Sequence, residues 1–191
     1  MKLKNVGDKL KVKNVSKFLS LVLRHKPEVV GVKLDPNGWV DVDKLLDGCA
    51  KVGRNIDMAL LDRTVVENDK MRFTFNADKT KIRANQGHSQ PVDVELEELE
   101  PPLTLYHGTL ERNWRLIREQ GLLKMERLYV HLSVDEETAR KVAERRVGAP
   151  MLLKVDSGKM YRDEYKFYRS LNGVWLTDHV PPQYISVLNF D

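Results

Sequence analysis

The chain has 191 residues, a hydrophobic fraction of 41%, a net charge of +4 and a single cysteine, Cys49. One cysteine excludes an internal disulfide, and the sequence shows neither an apolar run long enough to cross a membrane nor the apolar block of a secretory signal. We therefore expect a cytoplasmic protein that does not associate with a membrane.

The charge is unevenly distributed along the chain. Residues 1–90 contain 18 Lys and Arg against 11 Asp and Glu, a net charge of +7, whereas residues 91–191 contain 14 against 17, a net charge of −3. The change falls in an acidic, proline-bounded stretch at 91–102, which predicts a linker between an amino-terminal lobe (1–90) and a carboxy-terminal lobe (103–191). A basic lobe suits a nucleic-acid partner, although such an excess also fits a solvated surface without function.

The first predicted helix of the amino-terminal lobe is amphipathic. Its apolar residues recur at helical spacing, at Val15, Phe18, Leu19, Val22 and Leu23. Asn14 is a candidate N-cap, and Pro27 disfavours helical geometry at Lys26, so the helix should end there. At about 100° per residue, Arg24 points away from the apolar stripe and His25 lies at its flank. Because a cation near a helix C-terminus interacts well with the helix dipole, this pair alone does not establish a site.

Two further helices and a hairpin complete this lobe. A short strand at Trp39–Val40 precedes a helix capped by Asp41 or Asp43, and a third helix begins after Asp57. The stretch 70–85 alternates on both sides of a polar turn, which predicts a β-hairpin. Helices followed by a hairpin resemble a winged-helix module, an architecture that does not by itself establish function.

The carboxy-terminal lobe alternates strands and helices. A strand at 103–109 ends in the sequence His-Gly-Thr, a helix stops at Gly121, and a second strand covers 127–133. Ser133 to Glu136 has the pattern of a capping box that opens the next helix. Further strands are predicted at 149–156, 166–170, 173–177 and 184–190. The expected fold class is α+β, with a mixed, mostly antiparallel sheet in this lobe.

Four places carry residues suited to chemistry. They are the pair Arg24-His25, Arg72 in the hairpin, the polar stretch 82–89 that follows it, and the histidine-containing strands of the carboxy-terminal lobe. Each has an ordinary explanation when taken alone, as a helix-end cation, an exposed strand charge, a loop or a satisfied histidine. The sequence contains no Cys/His cluster with metal-ligand spacing and no glycine-rich phosphate loop.

Seven short motifs occur in order within a region of similarity that runs from about residue 14 to 190: SKFLSLVLRHKPE, GWVDVDKLL, NDKMRF, IRANQGHS, LYHGT, YVHLS and NGVWLT. Each is weak alone, whereas the ordered set is specific. Together they resemble the RNA 2′-phosphotransferase family, whose members remove a splice-junction 2′-phosphate from tRNA with NAD. The resemblance implies a winged-helix-like amino-terminal lobe that binds RNA and a carboxy-terminal lobe of the ADP-ribosyltransferase type that binds NAD.

The resemblance also implies a reaction in two steps. The RNA 2′-phosphate attacks C1″ of the nicotinamide ribose and expels nicotinamide, which gives an ADP-ribosylated 2′-phosphate on the RNA. The ribose O2″ then attacks phosphorus and releases 2′-hydroxyl RNA and ADP-ribose 1″,2″-cyclic phosphate. Such a scheme requires no metal. The expected partners are NAD and a 2′-phosphorylated RNA, in this family a tRNA, and we expect the protein to be a monomer.

The family's essential residues correspond to four positions of this chain: Arg24, His25, Arg72 and Arg127. Guanidinium groups bind phosphate oxygens bidentately, fixed cations stabilise charge that develops at phosphorus, and histidine suits proton transfer. The resemblance assigns NAD to His107, Gly108, Thr109, His131 and Ser133. Polar residues in and after the hairpin are further candidates for contacts to the RNA phosphate: Lys70, Arg83, Gln86, His88 and Ser89.

Two other functions stay open at this point. The first is an ADP-ribosyltransferase that acts on protein or on terminal nucleic-acid phosphates. Protein-modifying relatives often carry a glutamate where this chain has Val174, which argues against a protein substrate but not against terminal phosphates. The second is a non-catalytic winged-helix RNA-binding module, which would explain the basic lobe but not the NAD-type motifs. Uptake of NAD in a titration would separate a binding module from an enzyme.

Overall fold

The structure, a computed structural model, describes residues 2–68 and 70–188. The chain divides into two compact units, Met1–Glu95 and Leu96–Asp191, and the division falls inside the acidic stretch 91–102. Asp69 of the motif NDKMRF and residues 189–191, which include the end of the strand predicted at 184–190, lie outside the described residues. None of the described helices is both long and apolar enough to span a membrane.

The described part of the first unit consists of α-helices, one 3₁₀ turn and a small antiparallel sheet. The helices are α1 (Lys2–Arg24), α2 (Val42–Lys51) and α3 (Met58–Val66), and the 3₁₀ turn is Pro27–Val30. The strands are β1 (Val40–Asp41), β2 (Phe73–Phe75) and β3 (Lys81–Ala84), in the order β1-β3-β2. The predicted hairpin is confirmed, because β2 and β3 pair with each other, whereas the addition of β1 to its edge is not visible in the sequence pattern.

Helix α1 is longer than its apolar pattern predicts. The N-cap predicted at Asn14 is wrong, because α1 begins at Lys2 and contains Asn14 in its interior. The stretch before Asn14 is rich in lysine, a good helix former, but most of its apolar residues do not continue the stripe that begins at Val15. The helix ends at Arg24, close to the stop predicted at Lys26.

Two predicted N-caps in the first unit are confirmed. Asp41 accepts a hydrogen bond from the Lys44 N–H at 3.0 Å and opens α2, and Asp57 accepts one from the Leu60 N–H at 2.8 Å and opens α3. Each such cap stabilises its helix by about 1 kcal/mol. The three helices and the sheet enclose a core of apolar side chains, among them Leu19, Leu23, Leu45, Leu61, Phe73 and Ile82.

The described part of the second unit contains three α-helices, two 3₁₀ turns (Glu111–Asn113 and Pro182–Tyr184) and nine short strands. The helices are α4 (Trp114–Gln120), α5 (Glu136–Glu144) and α6 (Ser157–Arg162). The strands are β4 (Glu97–Glu98), β5 (Leu105–Leu110), β6 (Leu122–Leu123), β7 (Val130–Leu132), β8 (Pro150–Val155), β9 (Tyr168–Arg169), β10 (Trp175–Thr177), β11 (His179–Val180) and β12 (Ile185–Leu188).

The α+β class with antiparallel sheets is confirmed, but the strands of this unit do not form one mixed sheet. They form three sheets, with the orders β4-β9-β10-β7, β11-β6 and β12-β8-β5, and every described strand pair is antiparallel. Most of these strands are only two to four residues long, which leaves little length for continuous pairing across the unit. A single bridge between Tyr106 and Ser133 connects β5 to the residue that follows β7.

The start of α5 differs from the predicted capping box. Ser133 does not cap the helix, because it exchanges two backbone hydrogen bonds with Tyr106 at 2.9 and 2.8 Å and is held in extended geometry. Asp135 is the N-cap and accepts a hydrogen bond from the Thr138 N–H at 2.7 Å. Strand pairing therefore delays the helix by two residues relative to the local pattern.

Gly108 of β5 lies directly against α5. A Cβ atom at this position would lie 1.9 Å from the Ala139 carbonyl oxygen and 2.9 Å from the Ala143 nitrogen. Both obstructing groups are backbone atoms, which cannot rotate away as a side chain can. The absence of a side chain at Gly108 thus allows α5 to pack on the sheet formed by β5 and β8.

We predict that Gly108→Ala destabilises the protein by about 3 kcal/mol or more, because the added methyl group must push α5 away from the sheet. The midpoint of urea unfolding measures this change. Gly7→Ala in α1 is the matched control, since a Cβ there has no neighbour within 4 Å. The control should be neutral or stabilising by up to about 1 kcal/mol. Equal midpoints for the two variants would contradict the close packing of α5.

Candidate functional site

The C-terminal end of α1 is held by residues 87–90, which follow β3; we call this segment the clasp. The Ser89 N–H donates to the Arg24 carbonyl oxygen at 3.0 Å, and the Ser89 hydroxyl lies 3.1 Å from Nδ1 of His25. The side-chain amide of Gln90 donates to the His25 carbonyl oxygen at 2.8 Å. The clasp therefore fixes both the backbone of Arg24-His25 and one nitrogen of the imidazole ring.

The clasp also covers the Arg24 side chain. Gly87 has a φ of +86°, and a Cβ built on it would lie 3.4 Å from Nη1 of Arg24 and 3.7 Å from its Cδ. The backbone of Gly87 thus passes beside the guanidinium group, at a conformation that residues with a side chain rarely adopt. Arg24 is half-buried rather than fully outward-facing, because this segment lies over it.

Arg72 is attached to the same helix through two buried polar side chains. Its Nη1 donates to Oδ1 of Asn68 at 3.1 Å and lies 3.5 Å from Oγ of Ser16 in α1. The Asn68 side-chain nitrogen donates to the same Ser16 oxygen at 3.1 Å. Ser16 precedes Arg24 by eight residues, about 12 Å along the helix. Helix α1 therefore carries Arg24-His25 at its end and anchors Arg72 two turns earlier.

The backbone before Arg72 is held by Asn85, which follows β3. Its side-chain nitrogen donates to the Met71 carbonyl oxygen at 2.5 Å, and its N–H donates to the Arg72 carbonyl oxygen at 2.9 Å. Met71 has a φ of +37°, which is unusual for a residue with a side chain. Asn85 is buried, and its pair of hydrogen bonds keeps this turn in the conformation that presents Arg72 to Asn68.

The Arg83 side chain contacts three other residues of the first unit. Its guanidinium carbon lies 4.4 Å from the centre of the Trp39 ring, and its Nη1 donates to Oε2 of Glu95 at 3.0 Å and to the Asn37 carbonyl oxygen at 3.3 Å. These contacts link β3 to the turn before β1 and to the end of the unit. The contact between Arg83 and RNA stays a prediction beside this structural role.

His88 is the buried member of the clasp, with a relative exposure of 1%. Burial first, and then the positive charges of Arg24, His25 and Arg83, lower the pKa of its imidazole to about 4. Its Nε2 has no hydrogen-bond partner among the described residues and faces Gly38, where a Cβ would lie 3.4 Å away. The His88 ring is thus buried and neutral, and its contact with the RNA phosphate stays a prediction.

The remaining phosphate candidates of the first unit differ in exposure. Lys70 and Ser89 are exposed, and Gln86 is half-buried. The Lys70 N–H donates to Oδ1 of Asn68 at 3.1 Å, the same oxygen that receives Arg72. Lys70 and Arg72 are therefore attached to one buried amide, whereas Ser89 contacts Arg24-His25 and Gln86 directly precedes the clasp. Their contacts with RNA stay predictions.

The second unit brings two predicted cofactor residues together. Nδ1 of His107 in β5 lies 2.9 Å from the carbonyl oxygen of His131 in β7. Desolvation lowers the pKa of His107 and outweighs the opposite effect of this hydrogen bond. The ring is therefore neutral at pH 7, with its proton on Nδ1, and Nε2 is left as an acceptor. Nδ1 of His131 lies 3.0 Å from the Tyr129 carbonyl oxygen.

Gly108 and Thr109 have packing roles that the sequence does not reveal. The absence of a side chain at Gly108 allows α5 to pack against β5, as described above. Thr109 is buried, and its hydroxyl accepts a hydrogen bond from the Asn113 side chain at 3.1 Å.

The backbone N–H and C=O of Gly108 lie at an edge of β5. Alternate residues of a strand direct their N–H and C=O to the same edge, so those of Gly108 point to the edge on which Tyr106 pairs with Ser133.

No described residue forms a backbone hydrogen bond with Gly108 at that edge. One donor and one acceptor are therefore left side by side, next to His107. This arrangement is complementary to a primary carboxamide, which carries one acceptor oxygen and an NH₂ donor.

Arg127 is exposed in the segment between β6 and β7. Although the residue as a whole is exposed, nearby protein atoms remove part of the water around its guanidinium. This desolvation first, and then the positive charge of Arg146, lower the pKa of the guanidinium, which stays protonated at neutral pH. Arg146 follows α5 and also lowers the pKa of His107. Arg146 is therefore a second cation close enough to affect both Arg127 and His107. Its position in the sequence does not distinguish it from the other arginines of the chain. The described residues include no group of His, Cys, Asp and Glu side chains arranged to hold a metal ion.

Comparison with known proteins identifies the family. The model of the RNA 2′-phosphotransferase, Tpt1 / KptA family matches residues 10–179. The chain belongs to this family. A protein of Flavobacterium johnsoniae named "Probable RNA 2′-phosphotransferase" is 58% identical over 91% of this chain and 94% of its own length. Proteins of the same name from Trichormus variabilis and Fusobacterium nucleatum are 52% and 50% identical, over 92% and 90% of this chain and 96% of their own lengths.

Family membership confirms the resemblance seen in the ordered motifs. It supports removal of a 2′-phosphate from RNA as the activity of this chain. The roles of individual site residues stay predictions. The residues that sequence reasoning missed are Ser16, Asn68, Gln90 and Arg146, which fix or neighbour the predicted ones.

We predict that His88 makes the protein acid-sensitive between pH 6.5 and pH 4. The folded pKa of about 4 lies below the ordinary value of 6.5, so only the unfolded chain gains this proton within the window. Stability is complete above pH 6.5, falls by about 1.4 kcal/mol per pH unit below it, and loses about 3 kcal/mol by pH 4. Unfolding midpoints of the wild type and His88→Asn, measured across this range, should converge as the pH falls. Parallel curves would show that His88 titrates equally in both states.

Proposed function

We propose that this protein removes an internal RNA 2′-phosphate by transferring it to NAD in two steps. The observation that carries the proposal is the fixed cationic set of α1, in which the clasp holds Arg24-His25 and two buried polar side chains hold Arg72. A 2′-phosphomonoester carries up to two negative charges, and preorganised guanidinium groups bind its oxygens without reorganisation at the moment of reaction.

NAD is the proposed co-substrate, and the residues around β5 fit two of its groups. The open N–H and C=O of Gly108 complement the carboxamide of nicotinamide, and Nε2 of His107 is an acceptor for a ribose hydroxyl. His131 and Ser133 belong to the same neighbourhood through their contacts with His107 and Tyr106. We propose no metal in this reaction.

In the proposed first step, a non-bridging oxygen of the RNA 2′-phosphate attacks C1″ of the nicotinamide ribose. The bond from C1″ to the pyridinium nitrogen breaks, and nicotinamide leaves as a neutral molecule with the bonding electrons. The nucleophile is already anionic, so this step mainly requires positioning of the two substrates. A carboxylate that activates a hydroxyl nucleophile is unnecessary, which agrees with Val174 at the position where protein-modifying enzymes often have glutamate.

In the proposed second step, the ribose O2″ attacks phosphorus and loses its proton, and the RNA 2′-oxygen leaves and gains one. Charge develops on the phosphoryl oxygens, where Arg24, Arg72 and Arg127 stabilise it. We assign the proton transfer to His25, whose ring is oriented by the contact of its Nδ1 with the Ser89 hydroxyl. The products are 2′-hydroxyl RNA and ADP-ribose 1″,2″-cyclic phosphate.

The proposal extends to the biological setting. We propose a winged-helix-like first unit that binds RNA, a second unit of the ADP-ribosyltransferase type, a tRNA substrate, a monomeric enzyme and a cytoplasmic location. The order of helices and hairpin in the first unit supports the winged-helix assignment. The lone cysteine, which is buried, fits a reducing compartment.

The test of this function is an incubation of NAD with an oligonucleotide that carries one internal 2′-phosphate. We expect nicotinamide, 2′-hydroxyl RNA and ADP-ribose 1″,2″-cyclic phosphate in equal amounts. The same oligonucleotide with a terminal phosphate in place of the internal one is the control. Stable ADP-ribosylation of the terminal phosphate alone would indicate the alternative transferase, and RNA binding without consumption of NAD would indicate a binding module.

We predict that Arg72→Ala and Arg127→Ala slow the second step more than the first, because charge develops at phosphorus only in the second. Loss of one preorganised charge contact typically reduces a rate by about 10²–10³. A time course should therefore show accumulation of ADP-ribosylated 2′-phospho-RNA. Unreacted substrate without any intermediate at early times would instead assign these arginines to ground-state binding of the phosphate.

A further inference from the structure

One side of α1 carries a row of lysines. Lys9, Lys13 and Lys17 are four residues apart, so they lie within about 80° of arc and about 6 Å apart along the axis. Arg24 falls within the same arc, about 10 Å beyond Lys17. All three lysine side chains are exposed. The row therefore leads along a single rigid helix to the residue pair at its end.

The charge of this row is not compensated within the described residues. Among the described residues, no ion pair involves Lys9, Lys13 or Lys17, whereas five other lysines are each paired with a carboxylate. Asp8 is the only acidic residue of α1, and it lies 3.9 Å from Arg63 of α3, on a different side of the helix. Like charges four residues apart destabilise a helix, so the folded protein retains this row against an electrostatic cost.

We propose that Lys9, Lys13 and Lys17 bind backbone phosphates of the single-stranded RNA that flanks the 2′-phosphate, and so direct the reacting nucleotide to Arg24. This inference rests on the proposed function, which places the 2′-phosphate at Arg24-His25. Lysine ammonium groups bind phosphates as point charges and read no sequence, so the row contributes affinity but no base preference.

Length is the property that distinguishes this surface from the site itself. Lys9 precedes Arg24 by 15 residues, about 22 Å along the axis. A dinucleotide held at Arg24 extends about 7 Å, since stacked nucleotides rise about 3.4 Å each, and so falls short of Lys17 as well as of Lys13 and Lys9. An oligonucleotide of about twelve residues spans the whole row. The row should therefore act only on the longer substrate.

The test compares the wild type with two triple variants of equal charge. The row variant is Lys9→Gln, Lys13→Gln, Lys17→Gln. The control variant is Lys33→Gln, Lys44→Gln, Lys51→Gln, which removes three exposed lysines of the same unit that have no carboxylate partner among the described residues. The substrates are a dinucleotide and a twelve-residue RNA, each with one internal 2′-phosphate. Circular dichroism checks that both variants keep the wild-type helical content.

The row variant should raise the KM of the twelve-residue RNA about tenfold and leave its kcat and the kinetics of the dinucleotide unchanged. The control variant should leave all four values unchanged. Binding of the longer RNA by the row variant, measured by fluorescence anisotropy without NAD, should also depend less strongly on salt than binding by the wild type. The slope of log K against log salt should fall by about 2, since each phosphate contact of a single strand contributes about 0.7. Replacement of the three lysines by arginine should restore the wild-type values.

Three results would overturn the proposal: equal effects of the two variants, an equal rise of KM for the dinucleotide, or no effect of the row variant. Failure of the proposed function gives a different result, because the wild type would then convert neither substrate. The anisotropy measurement still reports on the row in that case, since it requires no turnover.

Discussion

The contacts between the clasp and the end of α1 are the constraint on which the proposed chemistry depends. Helix α1 and the clasp are separated by more than 60 residues of sequence, yet three hydrogen bonds join them at Arg24 and His25. A helix end normally frays and leaves carbonyl groups without partners. Here Ser89 and Gln90 supply the missing donors, so two residues at a helix end acquire the fixed geometry that catalysis requires.

The clasp is in turn supported by an uncharged interior. His88 is buried beside Arg24, His25 and Arg83, and it stays neutral because burial and those cations disfavour its protonation. A positively charged side chain at this position would repel the guanidinium group that the clasp covers. His107 in the second unit is likewise neutral, because desolvation lowers its pKa. Both histidines therefore provide shape and hydrogen bonding at neutral pH, and the positive charge near each is carried by arginines.

Sequence rules succeeded where the determining contacts are local. Asp41 and Asp57 cap helices through residues three positions away, and the β2-β3 hairpin follows from alternation around a turn. The same sequence rules failed where a residue far away in the sequence determines the local structure. Ser133 pairs with Tyr106 and leaves Asp135 to cap α5. Asn68 accepts a hydrogen bond from Arg72 and is itself held by Ser16, 52 residues away. The motifs thus indicated the reactive residues, while those that position them became visible only in the fold.

The most direct measurement of the central claim is the steady-state kinetics of Ser89→Ala on a 2′-phosphorylated oligonucleotide with NAD. The account predicts a lower kcat with little change in the KM for RNA, because the variant removes the hydroxyl that orients His25 but leaves the backbone contact with Arg24 in place. Ser89→Thr, which retains a hydroxyl, should recover most of the activity. An unchanged kcat with a higher KM for RNA would contradict the account and would make Ser89 a phosphate-binding residue.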